Sequence, residues 1–152
     1  MKVIKDIEER LGVKLSLTTD KHGEHWIEVD ASKLVDVARI VLENGFDHLT
    51  TITGVDTGEK IILFYHLVKF EENKAVILNI KVQLDRDNPI APSLVELYPT
   101  AYVYEREVYD MFGIKFEGHP NLKRLLLPED WPEGVYPLRK DFKREMGGMK
   151  NE

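Results

Sequence analysis

IILFYHLVKF, residues 61–70, is followed by EENK, 71–74, and AVILNIKVQL, 75–84, and the pattern of these residues sets the sheet at the centre of the fold. Ile61 to Phe70 is a run rich in β-branched and aromatic side chains, the composition a pleated surface favours. Ala75 to Leu84 alternates, with Val76, Leu78, Ile80, Val82 and Leu84 on one side and Asn79, Lys81 and Gln83 on the other. Alternation with a period of two is the signature of a strand with one face buried. The four polar residues between the runs are too few for a crossover, so the runs pair antiparallel as a hairpin.

Working back from this hairpin, Phe46 to Val55 reads as another strand, ending at the turn Asp56-Thr57-Gly58. Before it, Leu34, Val37, Ala38 and Val41 recur at helical spacing between Asp30, an N-cap candidate, and Asn44, with Gly45 as a left-handed stop. Val13 to Thr18 alternates as a half-buried strand, Asp20-Lys21-His22-Gly23 turns, and His25 to Val29 returns. Residues 2–11 form a short amphipathic helix through Val3, Ile4, Ile7 and Leu11, stopped by Gly12. The class is α+β, an antiparallel sheet packed with helices.

Beyond the hairpin, Asp85-Arg86-Asp87-Asn88-Pro89 breaks the pattern. Ser93 to Tyr98 gives a helical turn or two before Pro99, and Thr100 is placed to cap a helix over 101–112, ended by Gly113. The remainder reads as irregular, with Pro120, Pro128, Pro132 and Pro137. The expected organisation is one α+β unit over 1–112, carrying the carboxylate-bearing helix 101–112, and an irregular partner-binding extension over 113–152.

Composition narrows the function. The 152 residues suit one domain, and the net charge of −6 argues against nucleic acid as a partner. There is no cysteine, which removes disulfides, thiolate nucleophiles and iron–sulfur ligation together. His22, His25, His48, His66 and His119 lack the short spacing of a zinc site. Charged residues make up 32% and no apolar run approaches the roughly 20 residues a membrane span needs. The start, Met1-Lys2-Val3-Ile4-Lys5-Asp6, does not read as a signal peptide. Thirty Glu and Lys residues against a single glutamine, Gln83, is a balance that proteins of hot habitats favour.

The chemistry-bearing residues lie between Glu105 and Phe142. On helix 101–112, Ala101, Tyr104, Val108, Met111 and Phe112 make an apolar stripe, and Arg106 and Asp110 are spaced to pair. Glu107 and Asp110 share a face, which reads most simply as a solvated one. One enzymatic alternative is a stand-alone acid/base catalyst using Glu105, Glu107, Asp110 and His119. Neither a nucleophile nor a phosphate loop accompanies them: Gly54 and Gly58 flank a turn without the spacing of a nucleotide-binding motif. Leu125, Leu126, Leu127, Trp131 and Phe142 are apolar groups on proline-stiffened chain, and such material must pack on something. Trp131 and Tyr136 suit interface anchors or the chain's own core equally. Arg139, Lys140, Lys143 and Arg144 form a basic run, diluted by Asp141 and Glu145, that suits protein contact.

YEREVYDMFGIKFEGHPNLKRLLLPEDW, residues 104–131, followed by YPLRKDF, 136–142, resembles the signature of the NADH-quinone oxidoreductase C-subunit family, shared by complex I and membrane-bound nickel–iron hydrogenase or sulfur-reducing relatives. GVD at 54–56 and FYHL at 64–67 resemble family features too. The resemblance covers about residues 46–142. It implies a non-catalytic peripheral subunit on the cytoplasmic side of the membrane, attached through its complex. The implied partners are a nickel–iron-type large subunit and an iron–sulfur small subunit, with the clusters in those partners and no cofactor on this chain. The motif residues it implies for the partner interface are Glu105, Arg106, Glu107, Asp110, Gly113, His119, Pro120, Arg124, Arg139, Lys140 and Asp141, with Trp131 beside them; Arg124 and Arg139 are expected to pair with partner or intrachain carboxylates. Where many complex I members carry a tryptophan before the ERE triplet, this chain has Tyr102, Val103 and Tyr104. Quinone-reducing, hydrogenase and sulfur-reducing subtypes therefore stay open.

Overall fold

In the computed structural model, which describes residues 1–147, the 61–84 stretch folds as its pattern requires. Strand β4 (Lys60–Glu71) pairs antiparallel with β5 (Lys74–Asp85) from Lys60↔Asp85 through to Glu71↔Lys74, so only Glu72 and Asn73 turn the chain. The remaining strands and helices, in chain order around them, are α1 (Lys2–Leu11), β1 (Thr18–Thr19), β2 (His25–Glu28), α2 (Leu34–Glu43), β3 (His48–Asp56), β6 (Ile90–Pro92), α3 (Ala101–Phe112) and β7 (Lys115–Glu117). The main sheet runs β1-β2-β5-β4-β3, and β6 pairs with β7 in a second, parallel sheet.

One face of the main sheet is apolar and closed. Ile61, Leu63, Tyr65 and Leu67 of β4 and Leu78, Ile80 and Val82 of β5 are fully buried there. They join Ile7 of α1, Leu34, Val37 and Val41 of α2, and Val108 and Phe112 of α3 in one core. Each such aliphatic side chain contributes roughly 1.5–3 kcal/mol relative to exposure.

The sheet is mixed where the pattern suggested antiparallel pairing throughout. β2 pairs parallel with β5, from His25↔Leu78 to Glu28↔Lys81. The reason is topological. α2 carries the chain from β2 to β3 on the far edge, and the β3–β4–β5 meander then fills the gap. Two reversals return β5 to the direction of β3, which is also that of β2.

Three local expectations change. Of the segment read as a strand over Val13 to Thr18, only Thr18 pairs, against Trp26 of β2. The Leu15 amide instead donates to Glu8 Oε2 at 2.9 Å, while Val13 and Leu15 still pack on the core. Thr100 does not cap α3 through its side chain; its hydroxyl donates to the Leu49 carbonyl at 3.0 Å. The chain beyond Gly113 is not irregular from its start, because Lys115–Glu117 forms a strand and Ile114 and Phe116 are buried. Irregular chain begins after Glu117, apart from a single 3-10 turn at Arg144–Gly147. Residues 148–152 of the expected extension lie outside the described residues.

Other sequence signals hold. The Asp30 carboxylate accepts from the Ser32 amide at 2.9 Å, opening a short 3-10 turn before α2. Gly45 follows α2 with φ 93° and Gly113 ends α3 with φ 76°, both left-handed. Asn79, read as solvated, is fully buried on the opposite sheet face. Its Oδ1 accepts from His66 Nδ1 at 2.5 Å and its Nδ2 donates to Glu24 Oε1 at 3.1 Å. The other His66 nitrogen then accepts from the Thr53 hydroxyl, 3.0 Å away.

Candidate functional site

Helix α3 organises everything that follows, and its inner face contains a surprise. Ala101, Glu105, Val108 and Phe112 are the buried residues of one face, so a carboxylate sits inside the apolar stripe. Glu105 is fully buried; its Oε2 accepts from the Leu94 amide at 2.8 Å, and its Oε1 meets the Ser93 hydroxyl at 2.6 Å. Burial pushes its carboxyl up to about 7, against the opposing pull of those two hydrogen bonds. Tyr65, also fully buried, has a hydroxyl without a hydrogen-bond partner among the described residues. Burial first, and the Glu105 charge second, hold its phenol well above the ordinary range. The helix sits close enough to β3 that a Cβ at Gly54 would stand 2.6 Å from the Phe112 ring. That contact is a physical reason for the glycine of the GVD triplet.

The outer side of α3 grips the extension. Arg106 and Asp110 do not pair with each other as their spacing suggested. Arg106 donates from Nε to the Lys123 carbonyl at 3.0 Å and from Nη2 to the Arg124 carbonyl at 2.6 Å. Asp110 Oδ2 accepts from the amides of Leu125, Leu126 and Leu127 at 2.8, 2.6 and 3.3 Å. One helix thus satisfies two carbonyls and three amides of a segment with no partner strand. Asp110 is 1% exposed, so the solvated-face reading fails for it. Glu107 between them is partly exposed.

A second clamp lies at the end of β3. Asp56, 6% exposed, receives Arg86 through two hydrogen bonds of 2.8 and 2.9 Å. It also accepts from the amides of Gly58 and Lys140 at 2.9 and 2.8 Å. The Arg86 guanidinium, aided by those amides, holds its carboxyl well below the usual range against the cost of burial. Arg139 ties the same region to α3, donating from Nε to the Phe112 carbonyl at 2.7 Å and from Nη1 to the Arg86 carbonyl at 3.0 Å. The Leu138 amide donates to the Met111 carbonyl at 3.0 Å. Tyr136 covers Gly113 so closely that a Cβ there would stand 2.4 Å from its ring.

The other expected site residues fall around these clamps. His119 donates from Nε2 to the Tyr102 carbonyl at 2.9 Å, and its Nδ1 accepts from the Asn121 amide at 3.0 Å. Both nitrogens of the ring are therefore engaged in the turn around exposed Pro120. Trp131 stacks on Phe142, with centroids 6.0 Å apart, and donates to the Val135 carbonyl at 2.8 Å. Arg124 donates to the carbonyls of Pro128 and Glu129 at 3.3 and 3.2 Å. Among the described residues neither Arg124 nor Arg139 pairs with an intrachain carboxylate; each guanidinium donates to backbone carbonyls instead. Lys140 reaches the Thr57 carbonyl with Nζ, and exposed Asp141 stands 3.5 Å from Arg86.

Glu105, Asp110 and His119, grouped as an acid/base set, engage three different segments: 93–94, 125–127 and the 102/121 pair. Arg86, Ser93 and Tyr65 were missed as site residues, and Asp56 was noticed only as part of a triplet. The signal for Asp56 and Arg86 was no more than opposite charges on either side of the central hairpin, Arg86 standing between Asp85 and Asp87.

Known proteins resemble this chain in sequence and in fold. The family model described as "Respiratory-chain NADH dehydrogenase, 30 Kd subunit" matches residues 27–146. The C subunit of an NADH-quinone oxidoreductase from Saccharopolyspora erythraea is 39% identical over 145 residues, covering 91% of this chain and 55% of that protein. The J subunit of an NAD(P)H-quinone oxidoreductase from a Synechococcus species is 42% identical over 139 residues, covering 83% and 73%. The chain thus spans little more than half the length of the first relative. Among solved structures, a trypsin-resistant fragment of Nqo5 aligns with a TM-score of 0.68 at 26% identity, over 80% of this chain and all of the fragment. A chain of a membrane-bound sulfane sulfur reductase, described as an archaeal respiratory membrane complex, aligns with a TM-score of 0.76 at 31% identity, over 94% and 85%.

Proposed function

The chain belongs to the respiratory-chain NADH dehydrogenase 30 kDa subunit family, and we propose that it is a non-catalytic peripheral subunit of a complex-I-like membrane-bound electron-transfer complex. In this reading it scaffolds a nickel–iron-type large subunit and an iron–sulfur small subunit on the cytoplasmic side. No helix among the described residues is long and apolar enough to cross a membrane. In this reading attachment runs through those partners.

One observation carries the reading. The extension is pinned to α3 and β3 by Arg106, Asp110, Asp56 and Arg139, yet Leu126, Leu138 and Met146 are 58%, 56% and 47% exposed along it. Irregular chain held in one shape with its large apolar groups turned out has already lost much of its ordering entropy, which is what a docking surface needs. The motif residues Glu105, Arg106, Glu107, Asp110, Gly113, His119, Pro120, Arg124, Trp131, Arg139, Lys140 and Asp141 then shape or line that surface. Several act through the backbone they hold rather than by touching the partner.

The test is retention in the native complex. Leu126→Asp with Leu138→Asp should leave the free chain folded and strongly reduce the large subunit recovered with it. Lys14→Ala and Lys81→Ala should leave recovery unchanged. Normal recovery with the leucine variants would place docking elsewhere. The purified chain should show no stoichiometric metal, flavin or haem in metal analysis and visible absorption; a bound redox group would overturn the non-catalytic assignment.

A further inference from the structure

Asp110 uses one oxygen to hold the 125–127 amides, and its other oxygen has a different situation. Oδ1 is buried and has no hydrogen-bond partner among the described residues. A carboxylate oxygen left without a donor in a desolvated place is costly, and such groups call for a partner. Asp110 also lines a cavity of about 470 Å³ between α3 and the arch of the extension. Tyr109, Trp131 and Tyr136 supply aromatic walls, and Glu129 and Glu133 stand at the arch. Among the described residues neither glutamate forms an ion pair. The cavity's own cation, Arg124, is directed to the Pro128 and Glu129 carbonyls. Three carboxylates against one arginine leave the lining net negative, and aromatic faces add to the attraction for a positive charge.

From this we propose that the cavity is the socket for a basic side chain, an arginine by preference, presented by the partner that docks on the extension. The proposal rests on the docking reading above and gives it a chemical partner. A guanidinium has donors enough for the idle Asp110 oxygen and a planar face for Tyr136 or Trp131. Leu127 lines the socket, and its neighbour Leu126, held to Asp110 by its amide, presents exposed apolar surface. That is the arrangement of a charged anchor ringed by contacts that exclude water.

The experiment uses the whole complex, purified through a tag on this chain from its native membranes, with the ratio of large subunit to chain read at rising salt. Asp110→Asn keeps an oxygen for the three amides and removes the charge; the double change Glu129→Gln with Glu133→Gln touches only exposed arch residues. Each should lower the ratio about tenfold or more and flatten its salt dependence. If the Asn variant does not fold, the double glutamine variant decides alone. Should Leu126→Asp strip the large subunit while the charge variants retain it with unchanged salt dependence, the socket is wrong and the docking reading stands. That same outcome covers an apolar occupant or a small-molecule amine. If none of the three changes affects the ratio, both readings fall together.

Discussion

Between Lys60 and Asp85 side chains on alternate positions are fully buried, whereas from Glu117 to Gly147 no residue is. The first region is stabilised by apolar contact with α1, α2 and α3. The second has no core of its own and takes its shape from hydrogen bonds to a few groups on the elements around the first: Asp56 at the end of β3, Asp110 and the Met111 and Phe112 carbonyls of α3, and the Arg86 carbonyl just after β5. Apolar burial is non-directional and spreads over many residues, while these ties are directional and few. The sheet should therefore tolerate losing any one polar group, and the extension should not. A segment held this way can open without global unfolding.

Replacing Leu78 with Ala strikes the apolar region at its centre. It leaves a hole between β5 and the helices and should cost about 2–5 kcal/mol, collapsing both regions together in a single urea transition followed by circular dichroism. Separate transitions would mean the extension is anchored elsewhere.

Glu105 offers a change driven by pH. Its folded carboxyl is raised from the ordinary 4.5 to about 7, so the folded state keeps its proton longer than the unfolded chain does. Stability should fall as pH rises across that window and level off above it, by roughly 3 kcal/mol at most. Glu105→Gln has no proton to lose and should gain stability relative to the wild type over the same window, read from urea midpoints below and above it. A constant difference across the window would mean that Glu105 is ionised in the fold throughout.

Asp56→Ala probes the second clamp. Arg86 loses its carboxylate and the amides of Gly58 and Lys140 lose their acceptor, at about 1–3 kcal/mol. Hydrogen exchange should quicken at Lys140 and Leu138 and stay slow at Leu63 and Ile80. In the wild type this tie should weaken on acidification below the ordinary carboxylate range, because the depressed Asp56 keeps its charge in the fold after the unfolded chain has lost it. The smallest effect belongs to Lys81→Ala, half-buried on the outer face of β5, within about 0.5 kcal/mol.

What was legible in the sequence follows the same division. The central hairpin, the Asp30 cap and the stops at Gly45 and Gly113 depend on residues close in sequence, and their patterns pointed to them. The parallel pairing of β2 with β5 depends on where α2 carries the chain, which alternation in His25 to Val29 does not encode. The burial of Asn79, Glu105 and Asp110 was hidden because polarity suggests water unless the partner is known. Their partners, Glu24 and His66, Ser93 and Leu94, and the 125–127 amides, are set by the fold. For the site, the motif marked residues 104–142, but not that Arg106 and Asp110 would serve the backbone of that segment instead of each other.

In the proposed assembly the extension, not the sheet, meets the partner. Hydroxyl-radical footprinting of the free chain against the intact complex tests it most directly, because both regions carry exposed reporters: Leu126 and Leu138 on the extension, and Phe70, 65% exposed, at the end of β4. On this account oxidation of Leu126 and Leu138 drops sharply in the complex while Phe70 is oxidised as before. Protection of Phe70 with Leu126 and Leu138 still fully reactive would contradict it.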